Sequence, residues 1–260
     1  MPPTNLLWIM ADDLGVGEPS YTGNKWLRTP NIDRLAASGM TFSAAYAGYT
    51  VCAPSRATLF TGRNSGHFAK TMPGDWPLLP QLLKDAGYET AAFGKSAPMD
   101  AAATPTELRW GLPSQHGFDH YEGQANQGYC HNMYPIHWTV GEVQTRLPLN
   151  AKHKSREACM AHPGAYNYTT DLFADAAIAW LHSRQIPLAR PFFAYLSFTV
   201  PHAGGWGSYP KAPEEGQPVP TDMGFGKRPP RVEPLLMGRD GTWDLMGPPP
   251  DPSHCHLGAR

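Results

Sequence analysis

An open α/β fold, with a mostly parallel central sheet flanked by helices, is predicted by three observations. Short apolar runs at Asn5 to Met10, Tyr88 to Phe93 and Pro191 to Thr199 read as strands. Segments of helical periodicity separate them, the pattern that pairs strands in parallel. Each run gives way to polar or charged residues, Asp12-Asp13, Lys95 and His202. Sheets of this kind gather their ligands at the carboxyl ends of the strands, so Asp12, Asp13, Lys95 and His202 are expected to meet there.

The elements follow in order. Asn5 to Met10 is almost wholly apolar, which predicts a strand buried on both faces. Thr29-Pro30 supplies a helix N-cap and first-turn proline, Ile32, Leu35 and Ala36 share one face, and Gly39 is the stop. A second helix is expected near Pro54, just after Cys52. Leu78, Leu79, Leu82 and Leu83 form an amphipathic stripe ended by Gly87, and the strand from Tyr88 to Phe93 follows. From Ala97 to about Pro163 no period is sustained, which predicts long loops with short elements. Thr170 or Asp171 can cap a helix carrying Leu172, Phe173, Ala176, Trp180 and Leu181, and the Pro191-to-Thr199 strand comes next. Eleven of the 28 prolines lie between Pro210 and Pro252. Residues 1–207 therefore read as one folded unit and 208–260 as an irregular, Pro/Gly-rich tail.

Composition excludes some functions. The 260 residues carry a net charge of -1, from 21 Lys+Arg against 22 Asp+Glu, so no basic excess exists for nucleic acid or anionic membrane. The longest purely apolar run, Leu6 to Ala11, falls far short of the roughly 20 residues that cross a bilayer, and no membrane span is expected. Neither a basic n-region nor a small-residue cleavage site is legible, so no signal peptide is read and localisation stays unassigned. Cys52, Cys130, Cys159 and Cys255 are far apart with no Cys-x-x-Cys pair, against a zinc ribbon or a disulfide scaffold. Asn167-Tyr168-Thr169 matches a glycosylation acceptor, a pattern short enough to recur by chance.

The strongest chemical signal is Cys52-Ala53-Pro54-Ser55-Arg56, continued by Ala57-Thr58-Leu59-Phe60-Thr61-Gly62-Arg63. A cysteine is set just before a helix whose positive end attracts an anion, with Arg56 one turn inside to bond the same group. This run resembles the signature of the type I sulfatases, in which the cysteine is oxidised to formylglycine. Leu7 to Gly15 is similar to the family's opening strand with its metal-binding aspartates, and Thr29 to Ala36 to the helix after it. Gly87 to Lys95 resembles the strand that ends in the active-site lysine. Gly117-Phe118-Asp119, His131-Asn132-Met133-Tyr134-Pro135 and Arg190 to His202 match family segments in the same order, so the resemblance covers about Asn5 to Gly204.

The resemblance implies an alkaline-phosphatase-like α/β fold, here the N-terminal half of the catalytic domain, incomplete on its C-terminal side. It implies hydrolysis of sulfate monoesters, small-molecule or carbohydrate, and a formylglycine-generating enzyme as a partner. Cys52 would become an aldehyde whose hydrate attacks sulfur and then expels sulfate, covalent catalysis in two easier steps. Asp12, Asp13 and the Cys52-derived oxygen would hold a hard cation, Ca2+ with Mg2+ the alternative. Arg56 and Lys95 would stabilise the transferred anion, and His202 would contact sulfate and protonate the leaving group.

Two departures qualify this. Many sulfatases carry a histidine two residues after the lysine, whereas Lys95-Ser96-Ala97 has alanine there; His131 is the candidate substitute, with a structural loop histidine as its other reading. The family also closes its metal site with an Asp-Asn pair followed by a lysine, and no Asp-Asn dipeptide occurs in this chain. Little turnover by this chain alone is therefore expected. Two further readings stay open: a phosphonate or phosphodiester hydrolase of the same superfamily, and a truncated, inactive sulfatase-like protein.

Overall fold

The computed structural model describes residues 4–64, 76–95, 112–125, 129–150, 167–184 and 190–202. The expected tail, 208–260, lies outside them, as do Ser96, Ala97, Cys159 and Cys255. Six strands form one sheet: β1 (Leu6–Asp12), β2 (Glu89–Lys95), β3 (His120–Gln124), β4 (His137–Val140), β5 (Val143–Arg146) and β6 (Phe192–Pro201), in the order β1-β6-β2-β3-β4-β5. The first four in that order run parallel, and β4 and β5 add an antiparallel margin. The fold is thus the mostly parallel, open α/β sheet that the sequence predicts.

Among the described residues four α-helices accompany it: α1 (Pro30–Ser38), α2 (Cys52–Thr61), α3 (Leu79–Asp85) and α4 (Thr169–His182). Strand alternation divides the core in two. Ala92, Tyr121, Phe193 and Tyr195 face Phe60 of α2 and Leu78, at the start of α3. Ala91, Phe93, Ala194 and Leu196 face Phe173, Ala177 and Trp180 of α4. Phe173 and Tyr195 are fully buried, so α4 and α2 each seal one face of the central strands.

Several expectations are corrected. β1 is not buried on both faces. Leu7 and Ile9 are 50% and 53% exposed because β1 sits at the sheet edge and α4 lies over β6, β2 and β3 instead. α1 forms where Thr29-Pro30 predicts, yet Ile32 and Leu35 stay exposed. α2 starts at Cys52, so Pro54 occupies its first turn, where a missing N–H breaks no helical bond. α4 starts at Thr169, earlier than either predicted cap. In the stretch read as long loops with short elements, the short elements described include the strands β3, β4 and β5. Their four or five residues include Glu122, Gly123, Gln124 and Gln144, too short and polar to show a period. The Gly141-Glu142 turn, with Gly141 at φ 58°, closes the β4-β5 hairpin. Of the Asn167-Tyr168-Thr169 pattern, Thr169 is fully buried and Asn167, the acceptor side chain, is half-buried.

Candidate active site

Three parallel strands deliver their last residues to one place. Asp12 ends β1, Lys95 ends β2, and His202 directly follows β6. Cys52 opens α2, and His131 closes a 3-10 turn, Tyr129–His131, after β3. The approach of β2 depends on Gly94, which takes φ +96°; a Cβ there would lie 2.1 Å from the Ser197 carbonyl oxygen. Only glycine fits both the conformation and the contact, and it sets the direction of Lys95.

Lys95 is fully buried and donates from Nζ to Asp12 Oδ2 at 2.7 Å and to His131 Nε2 at 2.9 Å. Arg56, 2% exposed, approaches the other Asp12 oxygen at 3.4 Å. Its second arm donates to Tyr195 Oη at 2.8 Å and also to Ser197 Oγ. The His131 and His202 rings stack with centroids 4.1 Å apart and an 8° interplanar angle. His202 Nε2 stands 3.5 Å from Asp13 Oδ2. The structure thus joins Asp12, Arg56, Lys95 and His131 through direct contacts and links His202 to them by the stack. Cys52, half-buried, stands one turn before Arg56 on α2.

The charges decide what this cluster can hold. Burial pushes the Asp12 carboxyl up, but Lys95 and Arg56 outweigh it and hold it below the usual carboxylate range. Burial opposes the Lys95 ammonium, and Cys130 and then Asp12 raise it above its ordinary value. Burial also pushes the Cys130 thiol up to about 12, so it keeps its proton and Asp12 is the anion that acts near neutral pH. His131 is held down to about 3 by burial and then by the Lys95 charge, so it is neutral and its Nε2 lone pair accepts the Lys95 proton. Arg56 and Lys95 against the single buried Asp12 leave one positive charge in excess. A buried excess of this sign calls for an anion.

The metal expectation can be tested on the donors. Asp12 and Asp13 present carboxylates at one strand end; Asp13, at φ +65°, turns outward and is 59% exposed. Asp12, His131 and His202 each bring a ligand atom within 4.8 Å of the others, a set of one oxygen and two nitrogens. The parallel rings direct their lone pairs side by side instead of at one point, so this is not a preformed transition-metal centre. Both carboxylates are donors of the kind a hard cation such as Ca2+ takes, with Asp12 contacted by Lys95 and Arg56 and Asp13 beside His202.

Sequence reasoning missed Tyr195 and Ser197, which clamp Arg56 from beneath. Their signal is a polar pair at strand spacing inside the apolar β6 run, on the face that meets α2.

An open α/β sheet with buried cations and a helix-opening cysteine at its strand ends suits an anion. The chain belongs to the sulfatase family, whose family model matches residues 4–224. It is 30% identical over 245 residues to N-acetylgalactosamine-6-sulfatase of Canis lupus familiaris, a match covering 80% of this chain and 41% of that one. A protein solved in complex with its substrate D-glucosamine-2-N,6-O-disulfate is 27% identical with TM-score 0.58, covering 76% of this chain and 35% of that one. The phosphonate monoester hydrolase of Agrobacterium radiobacter shares the fold at TM-score 0.52 and 21% identity, over 81% of this chain and 43% of that one. The chain thus spans about 40% of the length of the curated relative.

Proposed function

We propose that this chain forms the Cys52 side of a sulfuric ester hydrolase site that takes a carbohydrate sulfate monoester. The carrying observation is the buried Arg56-Asp12-Lys95 cluster, with its excess positive charge, next to a cysteine that opens a helix. Names of two similar proteins, one a hexosamine 6-sulfatase and one bound to a 6-O-sulfated glucosamine, support the carbohydrate class.

Cys52 is the residue for a formylglycine-generating enzyme to convert, and the hydrated aldehyde supplies the oxygen nucleophile and the hydroxyl whose ionisation expels sulfate. Arg56, locked by Tyr195, Ser197 and Asp12, is preorganised to bind sulfate oxygens, so no rearrangement opposes charge development. Lys95 adds the second fixed charge, and neutral His131 holds that ammonium in place by accepting its proton. This makes His131 a positioning residue, not the acid. His202, 22% exposed and stacked on His131, is the group that would protonate a departing alcohol. Asp12 and Asp13 would hold Ca2+, with Mg2+ the alternative; when bound it supplies Lewis-acid polarisation of the sulfate. Because the chain lacks an Asp-Asn pair, its own turnover is expected to be low.

An aryl sulfate and an aryl phosphodiester offered together to formylglycine-bearing protein with excess Ca2+ test the reading. Hydrolysis of the sulfate ester, weak but absent from Cys52→Ala, is expected. Exclusive cleavage of the phosphodiester would replace it with the phosphonate or phosphodiester alternative, and no turnover of either, even at high protein, would favour an inactive sulfatase-like protein.

A further inference from the structure

The segment from His131 to Tyr134 is tied to three elements of the fold. The Asn132 carbonyl accepts from Gln124 Nε2 at 3.4 Å, at the end of β3, and Asn132 Oδ1 accepts from the Tyr134 amide at 3.0 Å. The Met133 carbonyl accepts from the Thr169 amide at 3.0 Å, at the start of α4. The tie to β6 is of another kind. Met133 Sδ accepts the hydroxyl of Thr199 at 3.6 Å and that of Thr169 at 3.7 Å, lengths that suit a sulfur acceptor with its larger radius. Both threonines are fully buried and Met133 nearly so. A thioether is a weak acceptor, yet among the described residues it is the one these two buried hydroxyls have. A leucine would fill about the same volume and leave both hydroxyls without it.

Position gives this sulfur its consequence. Met133 follows His131 by two residues, Thr199 precedes His202 by three, and the His131 and His202 rings stack with centroids 4.1 Å apart. The sulfur therefore joins the two backbone segments that carry the stacked rings. We propose that Met133 is a positioning residue: by accepting from Thr199 and Thr169, its sulfur fixes the spacing of His131 and His202 and, through His131, the Lys95 ammonium. The last link is the 2.9 Å bond between Lys95 Nζ and His131 Nε2, so a displaced His131 releases the ammonium it holds. The effect on turnover rests on the sulfatase reading above. The geometry of the stack does not.

The test reads the contact between the two rings by NMR, as the His131–His202 ring-proton NOE in the full chain, isotope-labelled at histidine and with the Cys52 thiol unconverted. Thr199→Val keeps the shape of the side chain and removes its hydroxyl, whereas Thr199→Ser keeps the hydroxyl and removes a methyl group. Because the NOE falls with the sixth power of distance, loss of the bond in Thr199→Val should weaken it by about threefold or more, and Met133→Leu by at least as much. Thr199→Ser should stay near wild type. Tyr168→Phe, which leaves its ring packed on Met133, should change nothing. An undiminished NOE in folded Thr199→Val, or a loss in Thr199→Ser as large as in Thr199→Val, would overturn the proposal and leave the sulfur a packing atom. Failure of Cys52 to convert, or of sulfate ester to turn over, would count against the sulfatase reading and leave this result as it stands.

Discussion

β6 and β1 are both apolar runs that deliver a site residue at their carboxyl ends, yet Phe193, Ala194 and Tyr195 are almost fully buried while Leu7 and Ile9 are half exposed. Position in the sheet makes the difference: β6 lies between β1 and β2 and under α4, whereas β1 has one neighbouring strand among the described residues. The site inherits the asymmetry. Its β2-β6 side is finished, with Arg56 and Lys95 buried and held in place by hydrogen bonds, and its β1 side opens at Asp13. Apolarity in a strand records the surroundings it suits, and the finished side shows what those surroundings do for a charged cluster.

The most forceful way to break this comparison is to remove a cation from the finished side. Lys95→Met leaves two buried acceptors, Asp12 Oδ2 and His131 Nε2, without their donor, and should cost about 3 to 5 kcal/mol by urea unfolding. Asp13→Asn, on the open side, should change stability by less than about 0.5 kcal/mol. Similar costs for the two would contradict the asymmetry.

Core truncation sharpens it next. Phe93, buried against Trp180 beneath α4, should cost about 3 to 5 kcal/mol as Phe93→Ala. Ile9→Ala should cost under about 1 kcal/mol in the isolated chain, since half of that side chain is already in water. An Ile9 penalty equal to that of Phe93 would mean β1 is covered.

A smaller effect is expected at the other end of β2. Asp119 accepts from Thr90 N and Oγ1 and pairs with Lys84 at 2.6 Å. Burial opposes its charge, but the Lys84 and Thr90 bonds win and hold its carboxyl below the usual range. A depressed carboxylate stabilises the fold above its unfolded pKa and loses that contribution as pH falls through the folded value. Asp119→Asn should therefore lower stability by at most about 1 kcal/mol near pH 7, and the gap to wild type should narrow as pH falls below about 4. A gap that widens on acidification would reverse the assignment.

What the sequence disclosed follows from how local each signal is. β1, β2 and β6 were legible because apolar runs and polar ends are local patterns, and Cys52, Arg56, Lys95 and His202 came with the motifs on them. The Arg56 clamp joins residues 139 and 141 positions apart, and the His131 bond to Lys95 spans 36, so neither could be read from spacing. Burial of β1 was overread because a strand's composition does not say which neighbours these residues provide. β3 to β5 were expected only as unplaced short elements, because their pairing, not their composition, makes them strands.

The central claim, that the charged cluster serves a converted Cys52, is tested most directly by mass spectrometry of the peptide containing Cys52 after coexpression with a formylglycine-generating enzyme. The account predicts formylglycine at Cys52, its loss in Cys52→Ala, and no conversion at Cys130, whose thiol is buried. An unmodified Cys52 thiol throughout, in protein shown to be folded, would contradict it.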